Sequence, residues 1–173
     1  MLFKVIGGSM IVFFSTFIGY ILSLRCSKRP HELKVLQNIF QMLENEFKFM
    51  QSCLVDAFTS IIANCSHSVA EFFKSTIKIL TEEEGISACC AWERAVHENL
   101  ETTSLNKEDQ EILISFGKML GISDLEGQIK NLQLTIEKLK IQELKAEENK
   151  KSHESMYKNL GFLCGMAVVI IIM

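Results

Sequence analysis

Residues 116–139, FGKMLGISDLEGQIKNLQLTIEKL, predict two helices that meet at a tight corner. Gly121 can adopt the left-handed backbone conformation that commonly ends a helix. Ser123, followed three residues later by Glu126, has the S/T-x-x-E form of a capping box, which begins the next helix. Only Ile122 separates the end of one helix from the start of the other, so the second helix must fold back on the first. The sequence therefore predicts a structural corner at Gly121, Ser123 and Glu126.

Both arms of this hairpin carry apolar residues at helical spacing. In the first arm, Gly117 and Gly121 lie one turn apart, which allows a neighbouring element to approach closely. In the second arm the spacing is 4-3-4-3, as in a coiled-coil-like seam. Any helical hairpin would share this pattern, so it predicts the fold of the stretch and no particular family. The two stripes are Ile112, Leu113, Phe116, Met119 and Leu120, and Leu125, Ile129, Leu132, Ile136 and Leu139.

The same stretch resembles the stage III sporulation protein AB family of spore-forming bacteria. The resemblance is carried by DQEIL at 109–113, FGKMLG at 116–121 and SDLEGQIKNL at 123–132. Looser matches are RPHEL at 29–33, LENE at 43–46, AWERA at 91–95 and an apolar segment at each end of the chain. The chain departs from the family at 49–54, FMQSCL, where the resemblance implies a proline-containing turn and no proline occurs.

That departure leaves two readings of the first soluble helix, which Pro30 opens at a position where its missing amide hydrogen is harmless. The apolar register continues through Leu54 and Ile61, and it favours a single helix to about Ile62. The resemblance implies a break near Ser52, and we adopt the break. The apolar stripe of this helix is Leu33, Leu36, Phe40, Leu43, Phe47 and Met50.

Further helix starts follow from capping signals. Residues 68–71, SVAE, have the form of a second capping box, and Ser87 and Asn106 are predicted N-caps. With the hairpin, these signals predict an all-α bundle of about six helices over residues 30–144. Residues 145–156 are polar on all sides yet rich in helix formers, and they predict a helical stalk.

Two apolar segments predict membrane anchors. Residues 5–24 are uncharged and long enough to cross a hydrocarbon core of about 30 Å. The basic stretch RCSKR at 25–29 follows as a stop-transfer flank, so neither a cleaved signal peptide nor a lipoprotein acylated at Cys26 fits. We therefore predict N-terminal and C-terminal transmembrane helices at 1–24 and 157–173. The second is short and crosses fully only where the bilayer thins or the chain ends in the far headgroups; a buried core helix is the alternative.

Charge is unevenly distributed along the chain. Residues 30–155 hold all 21 acidic side chains and 13 basic ones, a net charge of −8. Because phosphate contacts need clusters of Lys and Arg, this balance excludes a nucleic-acid-binding protein. Bases next to both apolar segments place the bundle on the cytoplasmic side by the positive-inside rule. The remaining five bases are Lys4, Arg25, Lys28, Arg29 and Lys158.

The sequence contains no recognisable catalytic, cofactor or metal motif. Neither G-x-x-x-x-G-K-[ST] nor G-x-G-x-x-G occurs, and the four histidines have no suitably spaced partners. The pair Cys89–Cys90 and the motif Cys65-x-His67 do not supply four ligands at zinc spacing. We therefore predict no enzyme, no cofactor and no metal, and we interpret the cysteines as small hydrophobes of a helical core in a reducing compartment.

The family resemblance implies a function, whereas the composition alone indicates none. It implies a membrane component of the stage III sporulation envelope complex between mother cell and forespore, in the mother-cell membrane around the forespore. The family is similar to the cytoplasmic helical domain of F-type platform proteins of type II secretion and type IV pilus machines. The implied partners are the AA-type ATPase and other membrane proteins of the complex, with a homo-oligomer left open. The alternative is a membrane-tethered helical scaffold that recruits partners without an ATPase.

An acidic segment is the predicted docking surface for a partner. Residues 82–111 hold nine acidic and two basic side chains. The loops at 82–85 and 101–105 are predicted to be exposed ends of the bundle, where opposite charge on a partner speeds association and sets specificity. The alternative is a solvated face that only keeps the bundle soluble. The predicted partner-binding residues are Glu82, Glu83, Glu84 and Glu101.

Overall fold

The computed structural model describes residues 28–50, 54–63, 65, 67–121 and 124–172, with the side chains of 49, 50 and 153–172 left out. These residues contain six α-helices and no strand, which confirms the predicted all-α class. Residues 29–144 form one compact unit, and residues 145–173 belong to a second unit. The helices are α1 (Lys28–Asn45), α2 (Leu54–Ala63), α3 (Glu71–Glu82), α4 (Ala88–Asn99), α5 (Lys107–Gly117) and α6 (Leu125–Ile172).

The two predicted membrane segments stay predictions. Within the described residues no helix combines the length and the apolar character needed to cross a bilayer. The segment at 1–24 lies outside the described residues. For the segment at 157–173 the structure gives only a backbone, which is helical as far as Ile172.

Helix α1 and the turn after it bury the predicted apolar stripe as far as Phe47, and the side chain of Met50 lies outside the described part. Leu33, Leu36, Phe40 and Leu43 are fully buried, and Phe47 is almost so. The helix then widens into a π-helical turn over Glu46–Met50, and α2 begins at Leu54. The break predicted near Ser52 falls on residues 51–53, which lie outside the described part of the chain.

Two of the predicted helix caps are confirmed. The Ser87 hydroxyl accepts a hydrogen bond from the backbone N–H of Cys90 at 3.2 Å. The Asn106 side chain accepts from the N–H of Asp109 at 3.0 Å, and the Asp109 carboxylate accepts in return from the N–H of Asn106 at 2.9 Å. This reciprocal pair is a complete capping box, so α5 begins with its first amides satisfied.

The capping box predicted at 68–71 is wrong. Residues Ser68–Ala70 form a short 3-10 helix, and neither it nor α3 has a side-chain cap. The Ser68 hydroxyl donates instead to Glu32 of α1 at 3.2 Å, and Glu71 pairs with Lys74 at 2.6 Å. The Ser68 hydroxyl therefore bonds to a carboxylate distant in sequence, and not to a backbone amide at the start of the helix as the local pattern predicted.

The connection between α5 and α6 is longer than predicted, because α5 does not continue to Gly121 and α6 begins only at Leu125. Helix α5 ends at Gly117, and successive turns follow, with the N–H of Leu120 donating to the Gly117 carbonyl at 3.0 Å. Gly121 adopts the predicted left-handed conformation, with φ of 76°. A Cβ atom built there would lie 3.6 Å from the Cβ of Ala88, so the corner packs beside the start of α4.

The described cap of α6 lies one residue later than the predicted box. The Asp124 carboxylate accepts from the N–H of Gly127 at 3.0 Å, and the helix begins at Leu125. Ser123 lies outside the described residues. Glu126 is exposed in the first turn of α6, where its negative charge complements the helix dipole.

An aromatic cluster joins the first five helices. Trp92 of α4 lies at its centre, with ring centroids 5.0 Å from Phe73 of α3 and 5.3 Å from Phe116 of α5. Phe58 of α2 and Phe40 of α1 complete it, at 4.9 Å from Phe73 and 4.8 Å from Phe116 respectively. Edge-to-face pairs of this kind add to the stabilisation from area burial, so the cluster fixes how the helices meet.

Helices α1 and α6 are antiparallel neighbours, and this gives the bundle two distinct ends. Gln133 of α6 donates to Glu44 of α1 at 2.7 Å, and Arg29 of α1 donates to Gln142 of α6 at 3.1 Å. The end with Arg29 and Gln142, where α1 begins and the unit ends at Leu144, is called the root below. The opposite end, with residues 82–88 and the corner at 117–126, is called the apex.

Candidate functional site

A buried ion pair lies at the root. Arg29 of α1 donates to both carboxylate oxygens of Asp109 on α5, from Nε at 2.8 Å and from Nη2 at 3.0 Å. The Asp109 side chain is fully buried and that of Arg29 is 18% exposed. Two parallel bonds of this kind fix geometry as well as contributing energy. The sequence suggested for Arg29 only the role of a base flanking the membrane segment, and its buried partner was not predicted.

The same ion pair extends to α6. Arg29 Nη2 also donates to Gln142 Oε1, and Gln142 Nε2 donates to Glu108 Oε2 at 3.0 Å. These four side chains, called the root network below, connect the first, fifth and sixth helices where the chain joins and leaves the bundle. No sequence motif marked them, because the partners lie 80 and 113 residues apart.

A second carboxylate secures the loops at the root. Glu32 accepts from the Ser68 hydroxyl at 3.2 Å through one oxygen and from the backbone N–H of Ser104 at 2.6 Å through the other. One residue of α1 thereby holds both the segment before α3 and the segment before α5. The root is therefore a polar end of the bundle, at which Arg29 and Glu32 hydrogen-bond to other helices and loops.

The apex carries the first three predicted partner-binding residues. Helix α3 ends at Glu82, as the run of glutamates predicts, and Glu82, Glu83 and Glu84 are all exposed. Glu83 accepts from Arg94 at 2.7 Å. Glu82 and Glu84 make no ion pair with any described residue. Two of the three carboxylates are therefore available to a partner.

Arg94 also donates to Glu98 on its own helix, at 3.0 Å. The hydrogen bond that Arg94 donates to Glu98, and after it the one that it donates to Glu83, raises the pKa of Arg94 above its ordinary value. Arg94 is thus charged and hydrogen-bonded to two glutamates. It neutralises the charge of Glu83 and leaves the charges of Glu82 and Glu84 without a partner among the described residues. Asp124 and Glu126, both exposed, add further negative charge at the corner.

Glu101, the fourth predicted partner-binding residue, lies at the other end of the bundle. It belongs to the 3-10 helix Leu100–Thr102, just before Ser104, which is bound to Glu32 at the root. Helix α4 separates it from residues 82–84, and its 12 residues correspond to about 18 Å of rise. The structure therefore brings Glu82, Glu83 and Glu84 together and does not bring Glu101 to them.

An open groove of about 450 Å³ lies between α5 and α6. Ile112 and Ile141 supply its apolar surface, while Glu108 and Glu111 on α5 and Lys138 on α6 supply its charges. Ile141 is 54% exposed, although Leu139 and Gln142 on the same helix are buried. The groove was not predicted from the sequence, which gave one apolar stripe for each arm and included Ile141 in neither.

Two residues of the predicted apolar stripes are exposed. Met119 and Leu125 are each 41% exposed. Leu134, which belongs to neither predicted stripe, is 48% exposed. Leu113, Phe116, Leu132 and Leu139 are buried, as predicted. The signal available in the sequence was the spacing of seven between Leu134 and Ile141, which puts both residues on one face of α6.

The three cysteines with described side chains do not behave as the predicted core hydrophobes. Cys65 and Cys89 are half-buried, and Cys90 is exposed. Burial raises the pKa of the Cys89 thiol, and the adjacent Cys90 and Glu93 raise it further. Among the residues with described side chains, no three His, Cys, Asp or Glu residues are arranged to hold a metal ion.

Comparison with known proteins identifies relatives over the whole chain. The family model described as stage III sporulation protein AB matches residues 4–173. The stage III sporulation protein AB of Bacillus subtilis (strain 168) is 31% identical over 170 residues, which are 98% of this chain and 99% of that protein. A solved structure of a stage III sporulation protein AB is similar with a TM-score of 0.67 and 30% identity, covering 72% of this chain and 98% of the solved one.

Proposed function

This chain belongs to the stage III sporulation protein AB family, and on that premise we propose that it is the platform-like membrane component of the sporulation complex. Family membership makes it a component of a sporulation complex with a structural role. In the proposed role it couples a cytoplasmic ATPase, the AA-type protein of the complex, to a secretion-like channel. It sits in the mother-cell membrane around the forespore, with the bundle on the cytoplasmic side.

The observation that carries the proposal is the separation of root and apex. The chain joins the bundle at Arg29 and leaves it at Leu144 at the same end, since Arg29 and Gln142 are hydrogen-bonded at 3.1 Å. The chain stretches that lead to the two predicted membrane segments therefore leave the bundle at the same end. The apex is left for a soluble partner, which is the arrangement that a platform protein needs.

The root network suits the same role. A load applied through the chain ends reaches the bundle first at α1 and α6, and Arg29 binds both α6 and the buried Asp109 of α5. Charge-assisted bidentate bonds resist changes of distance and angle better than single neutral ones. The three helices would consequently move as one body under load.

The apex suits docking to a basic surface. Glu82 and Glu84 are exposed and have no ion-pair partner among the described residues, and Asp124 and Glu126 extend the negative region. Opposite charges at the edge of an interface mainly accelerate association and fix the orientation of the two partners. The proposed contact of the ATPase is thus a basic patch that meets residues 82–84 and the adjoining corner.

The test is a binding measurement between the full-length chain in nanodiscs and the purified ATPase. The variant Glu82→Lys/Glu84→Lys reverses two charges and leaves the Glu83–Arg94 pair intact. We expect it to weaken binding about tenfold at low salt, with a smaller difference at high salt because screening removes the interaction.

The matched control is Glu101→Lys/Glu137→Lys, which changes the net charge equally at two exposed sites away from the apex. It should bind like the unmodified chain. If both double variants bind alike at low salt, the apex is not the contact. If the unmodified chain does not bind the ATPase, the scaffold without an ATPase becomes the better account.

A further inference from the structure

We propose that the groove between α5 and α6 is an interface between two copies of this chain. The groove has an apolar floor, Ile112 and Ile141, between an acidic side on α5 and a basic side on α6. Ile141 is more exposed than almost any other large apolar residue described. An apolar surface with a rim of opposite charges is the usual composition of a protein interface.

The charges are arranged so that the groove complements itself. Helices α5 and α6 are antiparallel neighbours, held by Gln142 to Glu108 at 3.0 Å and by Asn131 to the Phe116 carbonyl at 3.0 Å. Lys138 lies between these two levels, as do Glu111 and Ile112. Glu111 and Lys138 form no ion pair with each other within the described residues.

A two-fold axis parallel to α5 and α6 would bring the opposite charges of two copies together. It lays α6 of one copy over α5 of the other at the same height along the helices. Lys138 then faces Glu111 of the second copy, and the reciprocal pair forms by symmetry, as in any isologous interface. Ile112 and Ile141 of the two copies meet between the two charge pairs.

The direction of this axis agrees with anchoring in one membrane, and this step rests on the proposed function. An axis along the helices keeps the roots of both copies on the same side, whereas a perpendicular axis in the interface would point them in opposite directions. Two copies confined to one membrane also have a high local concentration, which lowers the intrinsic affinity that association requires. A basic helix of another protein is a poorer occupant, because Lys138 would repel it.

The experiment uses charge swapping between two differently tagged full-length copies. The copies are co-expressed, solubilised in a mild detergent and captured through one tag, and the second tag is measured. In Glu111→Lys each Lys138 meets a lysine, and in Lys138→Glu each Glu111 meets a glutamate. We expect either variant, paired with itself, to lower co-capture about tenfold.

The decisive sample pairs one variant with the other. A Glu111→Lys copy opposite a Lys138→Glu copy restores both attractive pairs, so co-capture should return to the unmodified level. Lys34→Glu, an exposed reversal on α1 away from the groove, should leave co-capture unchanged. Unchanged fluorescence of Trp92 in each single variant shows that the bundle is folded.

Two results would overturn the proposal. One is the absence of co-capture between unmodified copies, and the other is a mixed pair that associates no better than either variant with itself. Loss of ATPase binding in the single variants, with self-association intact, would assign the groove to that partner instead. Self-association and ATPase binding are separate readouts, so failure of this interface is distinguishable from failure of the proposed function.

Discussion

Replacing Asp109 with alanine should destabilise the bundle more than any surface substitution. The change removes two hydrogen bonds from Arg29 and one from the backbone N–H of Asn106. It leaves the arginine without its carboxylate in a region where Arg29 is only 18% exposed. The loss therefore combines an unpaired charge with a broken helix cap.

The magnitude follows from these two parts. Breaking a buried ion pair by removing one partner costs about 3–5 kcal/mol, and the lower figure applies because Arg29 can regain some water. Loss of the cap contributes about 1 kcal/mol more. The free energy of unfolding should thus fall by about 4 kcal/mol. With a urea dependence of about 2 kcal/mol per molar, the midpoint falls by about 2 M.

The assay is urea unfolding of the full-length chain in a mild detergent, followed by the fluorescence of its single tryptophan, Trp92, which lies in the core. Lys74→Ala breaks an exposed ion pair with Glu71 and serves as the control, with an expected loss below about 1 kcal/mol. Arg29→Met/Asp109→Leu should recover most of the loss, because apolar residues of similar volume replace a buried pair at little cost. A midpoint for Asp109→Ala equal to that of the control would refute the reasoning.

Three further predictions concern packing, acidity and topology. Gly117→Ala places a methyl group against the Trp92 ring and should lower the stability by about 1–3 kcal/mol in the same assay; an unchanged midpoint would show that the ring can move aside. The hydrogen bond with Lys48 lowers the pKa of Glu44 below its ordinary value, so its stabilisation is present above the ordinary pKa of a glutamate, about 4.3, and is lost as the pH falls through the lower folded-state pKa. Glu44→Gln should therefore flatten the loss of stability at acid pH. Cys90 is exposed at the apex, and a membrane-impermeant maleimide should leave it unlabelled in intact cells and label it after lysis; labelling before lysis would contradict a cytoplasmic bundle.

The parts of the fold that were predictable are those that local chemistry decides. Ser87 and Asn106 cap their helices because a short polar side chain can reach the free amides one turn on. Gly121 takes a positive φ because it has no Cβ to oppose it. The stripe of α1 is buried because its spacing puts one apolar face toward any neighbour.

The parts that were not predictable depend on residues distant in sequence. Ser68 has a capping pattern, but it bonds to Glu32, and Arg29 finds its partner 80 residues away at Asp109. Periodicity shows that a helix has an apolar face and does not show which part of that face a neighbour covers. Met119 therefore remained exposed although its spacing suggested burial.

The candidate site was predicted only in part, for the same reason. Glu82, Glu83 and Glu84 were recognisable as an exposed acidic loop, because three glutamates are unfavourable at a helix C-terminus. Their separation from Glu101 follows from the antiparallel packing of α3 and α4, which no local pattern contains. The groove beside Ile141 likewise appears only when α5 and α6 are placed side by side.

The most direct test of the central claim places a photo-crosslinking amino acid at Glu84, at the apex, or at Glu101, at the root, in sporulating cells. If the apex receives the ATPase while the root faces the membrane, the position of Glu84 should crosslink to the ATPase and the position of Glu101 should not. Crosslinking to the ATPase from Glu101 alone, or from neither position, would contradict the account.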